Sequence, residues 1–400
     1  MKKGVVLLII ILASQLIAGQ GRYNEMLKAV ALSAGGKNIE AAGILTGLIN
    51  ASPDPDLLLL RGDAYLRSGN VKEAKSDFMA AESINQGSGL YGLASCAAAG
   101  GDARAAVAYL EAHLKSQYRK SEPEIMLDQS FGSIQSSPEW KSLWKKEWYK
   151  GYERKSWEID HYLKIGKTDL AEETWQELSA EYSDMPVTDY CKARIMISRG
   201  QYREAASLLE PLSAKPDAPV SYLTALAEAR AGEGNYYAAA TVYGRLINAE
   251  YPDPQLLVKR ASMLLKAGDR SAAKTDLGRY LNLDPDNSEA LGLIGRTYAE
   301  EGAIYEALPY LNANIEQHPG EAKAFSLRGD AWLAARTWDK AAEDYTMSLD
   351  LDPENGPVNL NLGIALINTG NTGDACHYLR KAKELGEKEA TRYLSKYCIK

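Results

Sequence analysis

Residues that could take part in chemistry are few and widely separated along the chain. Cys376 and His377 are adjacent, and Cys398 could join them at a zinc ion, but neighbours on a helix point about 100° apart and no further ligand follows at a metal-site spacing. Gly166-Lys167-Thr168 matches the end of a phosphate-binding loop, yet position 161, where that loop needs glycine, is histidine. The sequence therefore predicts no catalytic residue, no metal site, no cofactor and no small-molecule substrate.

Aromatic and basic residues are concentrated in one stretch, residues 121–151. Ser137-Pro138-Glu139 is typical of a helix start, and the predicted helix carries Trp140, Trp144 and Trp148 at four-residue spacing, accompanied by lysines. Such a stripe is first of all a packing face, so we favour rings that fill a joint between two blocks of the fold. The alternative is a basic amphipathic helix that attaches the protein to a membrane surface or to a partner.

A repeat of 34 residues organises the chain around these residues. It is marked by seven alanines in register: Ala171, Ala205, Ala239, Ala273, Ala307, Ala341 and Ala375. The residue five positions earlier is glycine in six of the seven copies, with Arg336 as the departure. We expect a close helix contact at each alanine and a turn with positive φ at each glycine. A fixed period of this length predicts a helical repeat architecture.

The marks within one period resemble a known family. Gly295, Tyr298, Ala307, Leu311 and Pro319 are similar to the pattern of the tetratricopeptide repeat, which is built from pairs of short helices. The resemblance implies an all-α fold, a right-handed superhelical solenoid of helix–turn–helix repeats. It also implies a non-catalytic protein that binds a protein or peptide partner, although the marks themselves are packing residues and do not name a ligand.

The sequence predicts five segments. Residues 1–19 form a signal peptide, 22–120 a block of three repeats marked by Ala41, Ala74 and Ala106, and 121–151 the aromatic and basic joint. Residues 152–387 form a block of seven repeats, and 388–400 a capping helix whose polar outer face closes the solenoid.

The family resemblance also implies a binding surface. First helices of tetratricopeptide repeats line a concave groove, and ligands contact the fifth and ninth positions of each unit. The matching residues here are Tyr190, Arg194, Thr224, Glu228, Val258, Ser262, Gly292, Arg296, Ser326 and Asp330. They do not reproduce the Lys and Asn clamp that holds a terminal carboxylate in chaperone-binding members, so we expect an extended peptide or a partner's helix instead.

Charge and the N-terminal segment bear on partners and location. The formal net charge is −7, and an acidic chain is a poor nucleic-acid binder because phosphate contacts need a basic face. Lys2 and Lys3 precede an apolar run, Gly4 to Ile17, that is shorter than a membrane span. We expect a secretory signal cleaved near Ala18 or Gly19 and a periplasmic or cell-envelope location, with a retained signal anchor as the alternative.

Four cysteines in an exported protein could form disulfides. Cys376 and Cys398 are a conceivable pair, whereas Cys96 and Cys191 fall in separate repeats. Because sequence cannot establish the Cα separation that a bridge needs, buried free thiols are the favoured interpretation for all four.

Three functions remain open from sequence. The first is a non-catalytic scaffold of the bacterial cell envelope that holds partners on its concave surface. The second is a peripheral membrane or envelope-assembly factor attached through the Trp140–Tyr152 helix. The third is an enzyme whose site is hidden between the two blocks.

Overall fold

The computed structural model describes residues 21–398, and its regular elements in that range are helices. In chain order the α-helices are α1 (residues 21–34), α2 (Asn38–Ala51), α3 (Pro55–Arg67), α4 (Val71–Ile84), α5 (Leu90–Ala99), α6 (Ala103–Lys115), α7 (Glu122–Leu127), α8 (Pro138–Leu143), α9 (Gly151–Lys164), α10 (Thr168–Glu181), α11 (Pro186–Ser198), α12 (Tyr202–Ser213), α13 (Val220–Gly232), α14 (Tyr236–Asn248), α15 (Gln255–Lys266), α16 (Arg270–Leu281), α17 (Ser288–Glu300), α18 (Ile304–Gln317), α19 (Ala322–Ala334), α20 (Trp338–Leu351), α21 (Gly356–Asn368), α22 (Thr372–Glu384) and α23 (Ala390–Tyr397). The predicted signal peptide lies outside the described residues. Across the described residues, no helix combines the length and apolar character needed to cross a bilayer.

Helices of similar length alternate with short turns and form consecutive pairs. α1 to α6 form three pairs, and α9 to α22 form seven, each consisting of an odd-numbered first helix and an even-numbered second helix. First helices also contact the first helices of adjacent pairs, as in α9 with α11, α11 with α13 and α17 with α19. Contacts as extensive as these are not formed between α10 and α12, α12 and α14, α18 and α20, or α20 and α22. First helices are therefore the crowded side of the stack, and an all-α repeat solenoid is the observed fold, as predicted.

The repeat alanines sit where first and second helices meet. All seven alanines of the 34-residue frame are fully buried, and so are Ala41, Ala74 and Ala106 in the first three pairs. Opposite them, first helices carry small residues for the same reason. A Cβ added at Gly295 would lie 2.7 Å from the side chain of Leu311, and one at Gly329 would lie 2.8 Å from Tyr345. The small residues therefore recur with this period because larger side chains would prevent the close approach of the paired helices.

The turn between paired helices needs a left-handed residue, which is why glycine recurs there. Gly302 has φ 77° and Gly370 has φ 86°. Arg336, at the equivalent position, has φ 57° and so adopts the same backbone without being glycine. This left-handed conformation is unfavourable for any residue other than glycine. The helices on either side of Arg336 hold its backbone in that conformation.

Contacts divide the chain into two compact units, residues up to Leu256 and residues from Leu257. This division falls within α15, whereas the sequence placed a joint at residues 121–151, so the predicted segment boundaries stay a prediction. Within the first unit, the Tyr23 hydroxyl donates a hydrogen bond to the Tyr251 carbonyl at 2.8 Å. The α1 helix is thus tied to the segment that follows α14.

The second unit ends on a covalent link. Cys376 on α22 and Cys398 after α23 form a disulfide, with their Cα atoms 5.7 Å apart. The expectation of free thiols does not hold for this pair, because α23 packs back over α22 and brings the two residues together. Leu360, Leu379 and Ala382 are buried in one cluster with Ala390 of α23.

Candidate protein-binding surface

Four cavities of the structure are lined mainly by first helices. The largest, about 940 Å³, lies between α7 and α9 and is called here the insert groove. Its lining consists of Ser121, Glu122, Pro123, Met126, Arg154, Trp157, Glu158, Asp160, His161 and Lys164. The other three measure about 180, 340 and 350 Å³. Depressions of this kind on the crowded side of the helix stack are where a peptide could dock.

A cluster of charged and aromatic side chains continues from the insert groove along α9, α11 and α13. The Tyr190 and Tyr222 rings stack with centroids 4.7 Å apart. Asp160 lies close enough for its charge to act on Tyr190 and Arg194. Burial raises the pKa of the Asp160 carboxyl, an effect that Arg194 partly offsets, and its Oδ1 atom has no hydrogen-bond partner among residues 21–398. The first-helix face of this unit therefore holds an unsatisfied acceptor beside stacked aromatic rings.

A second polar site, the Tyr91 pocket of about 350 Å³, lies between α3, α5 and the segment after α6. The Tyr91 hydroxyl donates to Asp128 at 2.5 Å, and the Lys120 ammonium lies 3.9 Å from the centre of the Tyr91 ring. Asp63 also lines this pocket, and the protein packed around its carboxyl raises the pKa of that group. Charges of both signs meet here, which suits a polar segment of a partner.

In the second unit, the pocket of about 340 Å³ lies between α17 and α19 and includes Gly292 and Arg296. Asp330 is the residue of α19 that is equivalent to Arg296 of α17. It accepts hydrogen bonds from the Tyr345 hydroxyl at 2.7 Å and from Asn361 at 3.1 Å. Asp330 therefore ties α19, α20 and α21 together, and its role in the structure is at least partly to connect adjacent pairs.

The structure separates the remaining predicted groove residues by exposure. Glu228 is exposed, while Thr224, Ser262 and Ser326 are half-buried; Thr224 donates its hydroxyl proton to the Ser221 carbonyl at 3.0 Å. Val258 is buried in the core and cannot contact a partner as the structure stands. Binding at the predicted positions stays a prediction, and Val258 is its weakest member because its side chain packs inside.

The predicted tryptophan helix is wrong. The α8 helix ends at Leu143, and the chain leaves helical geometry before α9 begins at Gly151. Trp140 is buried, while Trp144 and Trp148 are half-buried and pack against the same core. Trp148 donates its Nε1–H to the Leu143 carbonyl at 2.8 Å, which helps to end α8. The rings therefore pack inside the joint, and a stripe exposed for membrane attachment is not formed in the described residues.

Sequence reasoning missed a recurring ion pair. In three repeats an arginine of the first helix makes two hydrogen bonds to an aspartate of the second, sixteen residues later: Arg61–Asp77, Arg260–Asp276 and Arg328–Asp344. Each aspartate lies three positions after the repeat alanine. Reading the 34-residue frame for charge as well as for small residues would have found them.

Metal and thiol chemistry have little support. Within residues 21–398, no group of three or more His, Cys, Asp or Glu side chains is arranged to hold a metal ion. Cys96 and Cys191 are buried free thiols. Burial raises the pKa of Cys96 to about 11 and raises that of Cys191 as well, so both remain protonated and weakly nucleophilic near neutral pH.

Comparisons with known proteins agree with this geometry. Sequence profiles described as tetratricopeptide repeat match residues 258–322 and 306–356, and another matches 55–88. A solved tetratricopeptide repeat protein from Parabacteroides merdae superposes with a TM-score of 0.51, is 16% identical, and covers 62% of this chain and 98% of its own. At that identity the similarity shows the fold alone.

Two curated proteins share part of the sequence. The BBSome complex member bbs-4 of Caenorhabditis elegans is 26% identical over 130 residues, which is 32% of this chain and 28% of that protein. A DnaJ homolog subfamily C member 7 homolog of Dictyostelium discoideum is 22% identical over 226 residues, 52% of this chain and 42% of that protein. The chain therefore spans less than half of either relative. Repeat frame, paired helices and matching profiles together show that this chain contains tetratricopeptide repeats, in residues 55–88 and 258–356.

Proposed function

We propose that this protein is a non-catalytic scaffold of the bacterial cell envelope that binds partner peptides or helices on its first-helix face. The observation that carries the proposal is the position of the four cavities, which are lined mainly by first helices. First helices also carry the stacked pair Tyr190 and Tyr222, and the neighbouring Arg194, and aromatic and arginine side chains recur in protein interfaces.

The envelope location rests on two separate features. The N-terminal segment has the composition of a secretory signal, and the Cys376–Cys398 disulfide is a bond that persists in oxidising compartments. Neither feature depends on the binding surface. Location and partner binding can therefore be tested independently.

Site-specific photo-crosslinking in the native cells tests the scaffold. A photoreactive residue is placed on first helices, at Arg194 or Arg296, and on second helices at the exposed Tyr237 or Tyr305. We expect adducts with other proteins from the first-helix positions and few from the second-helix positions. Adducts confined to the second helices, or none from any position, would contradict the proposal.

Acid quenching of growing cells followed by thiol alkylation tests the location. In an oxidising compartment two of the four cysteines are protected until reductant is added. Four thiols that react without reductant would place the protein in a reducing compartment and end the envelope proposal.

A further inference from the structure

The insert groove differs from an ordinary repeat surface because one of its walls comes from outside the repeats. That wall is α7, which precedes the fourth helix pair and belongs to the segment that interrupts the 34-residue frame. The other wall is α9, a first helix. A volume of about 940 Å³ is enough to hold several side chains of a peptide.

The α7 helix is fixed in place although it is short. Ser121 and Glu124 form a capping box in which the Ser121 N–H donates to Glu124 at 2.8 Å. On its inner side Ile125 is fully buried. On its outer side Met126 and Leu127 remain 42% and 81% exposed. A rigid element that holds two large apolar side chains in solvent is typical of a surface that a partner covers.

The charges of the groove favour a cation in the occupant. Its lining has three carboxylates, Glu122, Glu158 and Asp160, against two permanent cations, Arg154 and Lys164. Arg154 is already near Glu122, with Nε and Oε2 3.8 Å apart. Asp160 has an oxygen with no hydrogen-bond partner in the described chain. That oxygen is buried, so a lysine or arginine supplied by the occupant would instead reach Glu158, which is exposed in the groove, and would balance the charge.

We propose that the insert groove binds an amphipathic helix of a partner protein, with apolar side chains against Pro123, Met126 and Trp157 and a lysine or arginine directed to Glu158. Two features of the site favour a helix: the groove runs between two helices, and its apolar residues lie on both of them, so the apolar face of one helix, with side chains at i and i+4, can cover them together. The inference rests on the proposed scaffold function and assigns it one site and one class of partner.

A display library of peptides of about 16 residues, roughly four helical turns, tests the proposal on the full protein. Enriched peptides should carry apolar residues at helical spacing and at least one lysine or arginine. For one such peptide, Met126→Glu should weaken binding by about tenfold or more, because it places a charge among the apolar residues of the groove. Glu158→Gln should weaken binding of the same peptide, and should do so much less when the peptide's lysine is replaced by norleucine.

Met347→Glu is the matched control, since Met347 is 47% exposed on α20 in the second unit. It should leave the affinity unchanged, and thermal unfolding checks that each variant is folded. A library that enriches no peptide, or peptides that bind Met126→Glu as well as the parent, would overturn the groove assignment. Peptides that are acidic, or binding of phosphatidylglycerol vesicles that Met126→Glu abolishes while peptides fail to bind, would overturn the proposed class of partner. The scaffold proposal is judged separately by crosslinking from Arg194 and Arg296.

Discussion

Arg328 donates two hydrogen bonds to Asp344, from Nε at 2.8 Å and from Nη2 at 2.7 Å, and so joins the two helices of one repeat. Arg61–Asp77 and Arg260–Asp276 have the same geometry and the same separation in sequence. The aspartates are buried and the arginines partly so. Parallel two-point contacts fix the rotation of one helix against the other as well as their distance.

Removing one member of such a pair should cost more than removing an exposed pair. We expect Asp344→Ala to lower the free energy of unfolding by about 2–4 kcal/mol, because it leaves the Arg328 charge without its partner in a partly buried site. Arg270→Ala is the control, since it removes an exposed pair with Glu300 and should cost at most about 1 kcal/mol. Denaturant unfolding followed by circular dichroism measures both; equal losses would show that the pair is not specially placed.

Replacement of Arg336 by glycine should stabilise the protein. Because it adopts φ 57° where the other turns use glycine, Arg336→Gly should raise stability by about 0.5–1 kcal/mol. Gly302→Arg is the reciprocal variant and should lower stability by a similar or larger amount. An unchanged or lower thermal midpoint for Arg336→Gly would mean that the arginine side chain makes a contact worth more than the backbone strain.

His113 should make stability depend on pH. It is buried, its Nε2 accepts from the Lys120 N–H at 2.9 Å, and burial lowers its pKa to about 4, with Lys120 lowering it and Glu124 raising it. Since the pKa in the unfolded chain is about 6.5, the unfolded state binds the extra proton first as pH falls. This contribution to stability is full above about pH 6.5 and is lost as pH falls toward 4.

Each pKa unit corresponds to about 1.4 kcal/mol, so the loss between these two pH values should be of the order of 2–3 kcal/mol. His113→Gln should flatten the dependence of the unfolding midpoint on pH in this window. His161→Gln, at an exposed histidine, is the control and should leave the slope unchanged. A parent protein whose midpoint is constant from pH 6.5 to pH 4 would refute the burial of a neutral His113.

The C-terminal disulfide should stabilise the last helix pair. It closes a loop with a sequence separation of 22, for which the loss of chain entropy in the unfolded state corresponds to about 3 kcal/mol. Dithiothreitol should therefore lower the thermal midpoint of the parent protein but not that of the Cys376→Ser/Cys398→Ser variant. A parent midpoint that does not respond to the reductant would show that the bond contributes nothing to folding.

Most of this fold could be predicted from the sequence because the 34-residue period arises from steric requirements of the helix pairs. Each repeat alanine marks a place where two helices touch, and each glycine marks a left-handed turn, so both could be read without coordinates. The tryptophans could not be read in this way. A four-residue spacing predicts a continuous helix only if all rings seek the same face, whereas Trp140 and Leu143 turn into the core and Trp148 ends the helix through its indole hydrogen bond.

The candidate site was less predictable for a different reason. Positions taken from the family resemblance named Tyr190, Arg194 and Arg296, which do lie at the stacked cluster or at a cavity of the first-helix face. The insert groove was missed because one of its walls, α7, lies outside the period. Asp160 is one period before Arg194 and could have been found by extending the same positions to residues 152–185. The fold could be predicted from the spacing of alanines and glycines. The groove could not, because it forms where α7, which lies outside the repeat, packs on α9.

The most direct measurement is the stability of seven single variants, one at each alanine of the 34-residue frame, changed in turn to leucine: Ala171, Ala205, Ala239, Ala273, Ala307, Ala341 and Ala375. Every one of these alanines is fully buried between paired helices, so each variant should lose about 1–3 kcal/mol through overpacking. Ala334→Leu, at an exposed helical position, should lose almost nothing. Losses that do not follow the 34-residue frame, or buried variants as stable as the control, would contradict the stacked helix pairs on which the binding surface depends.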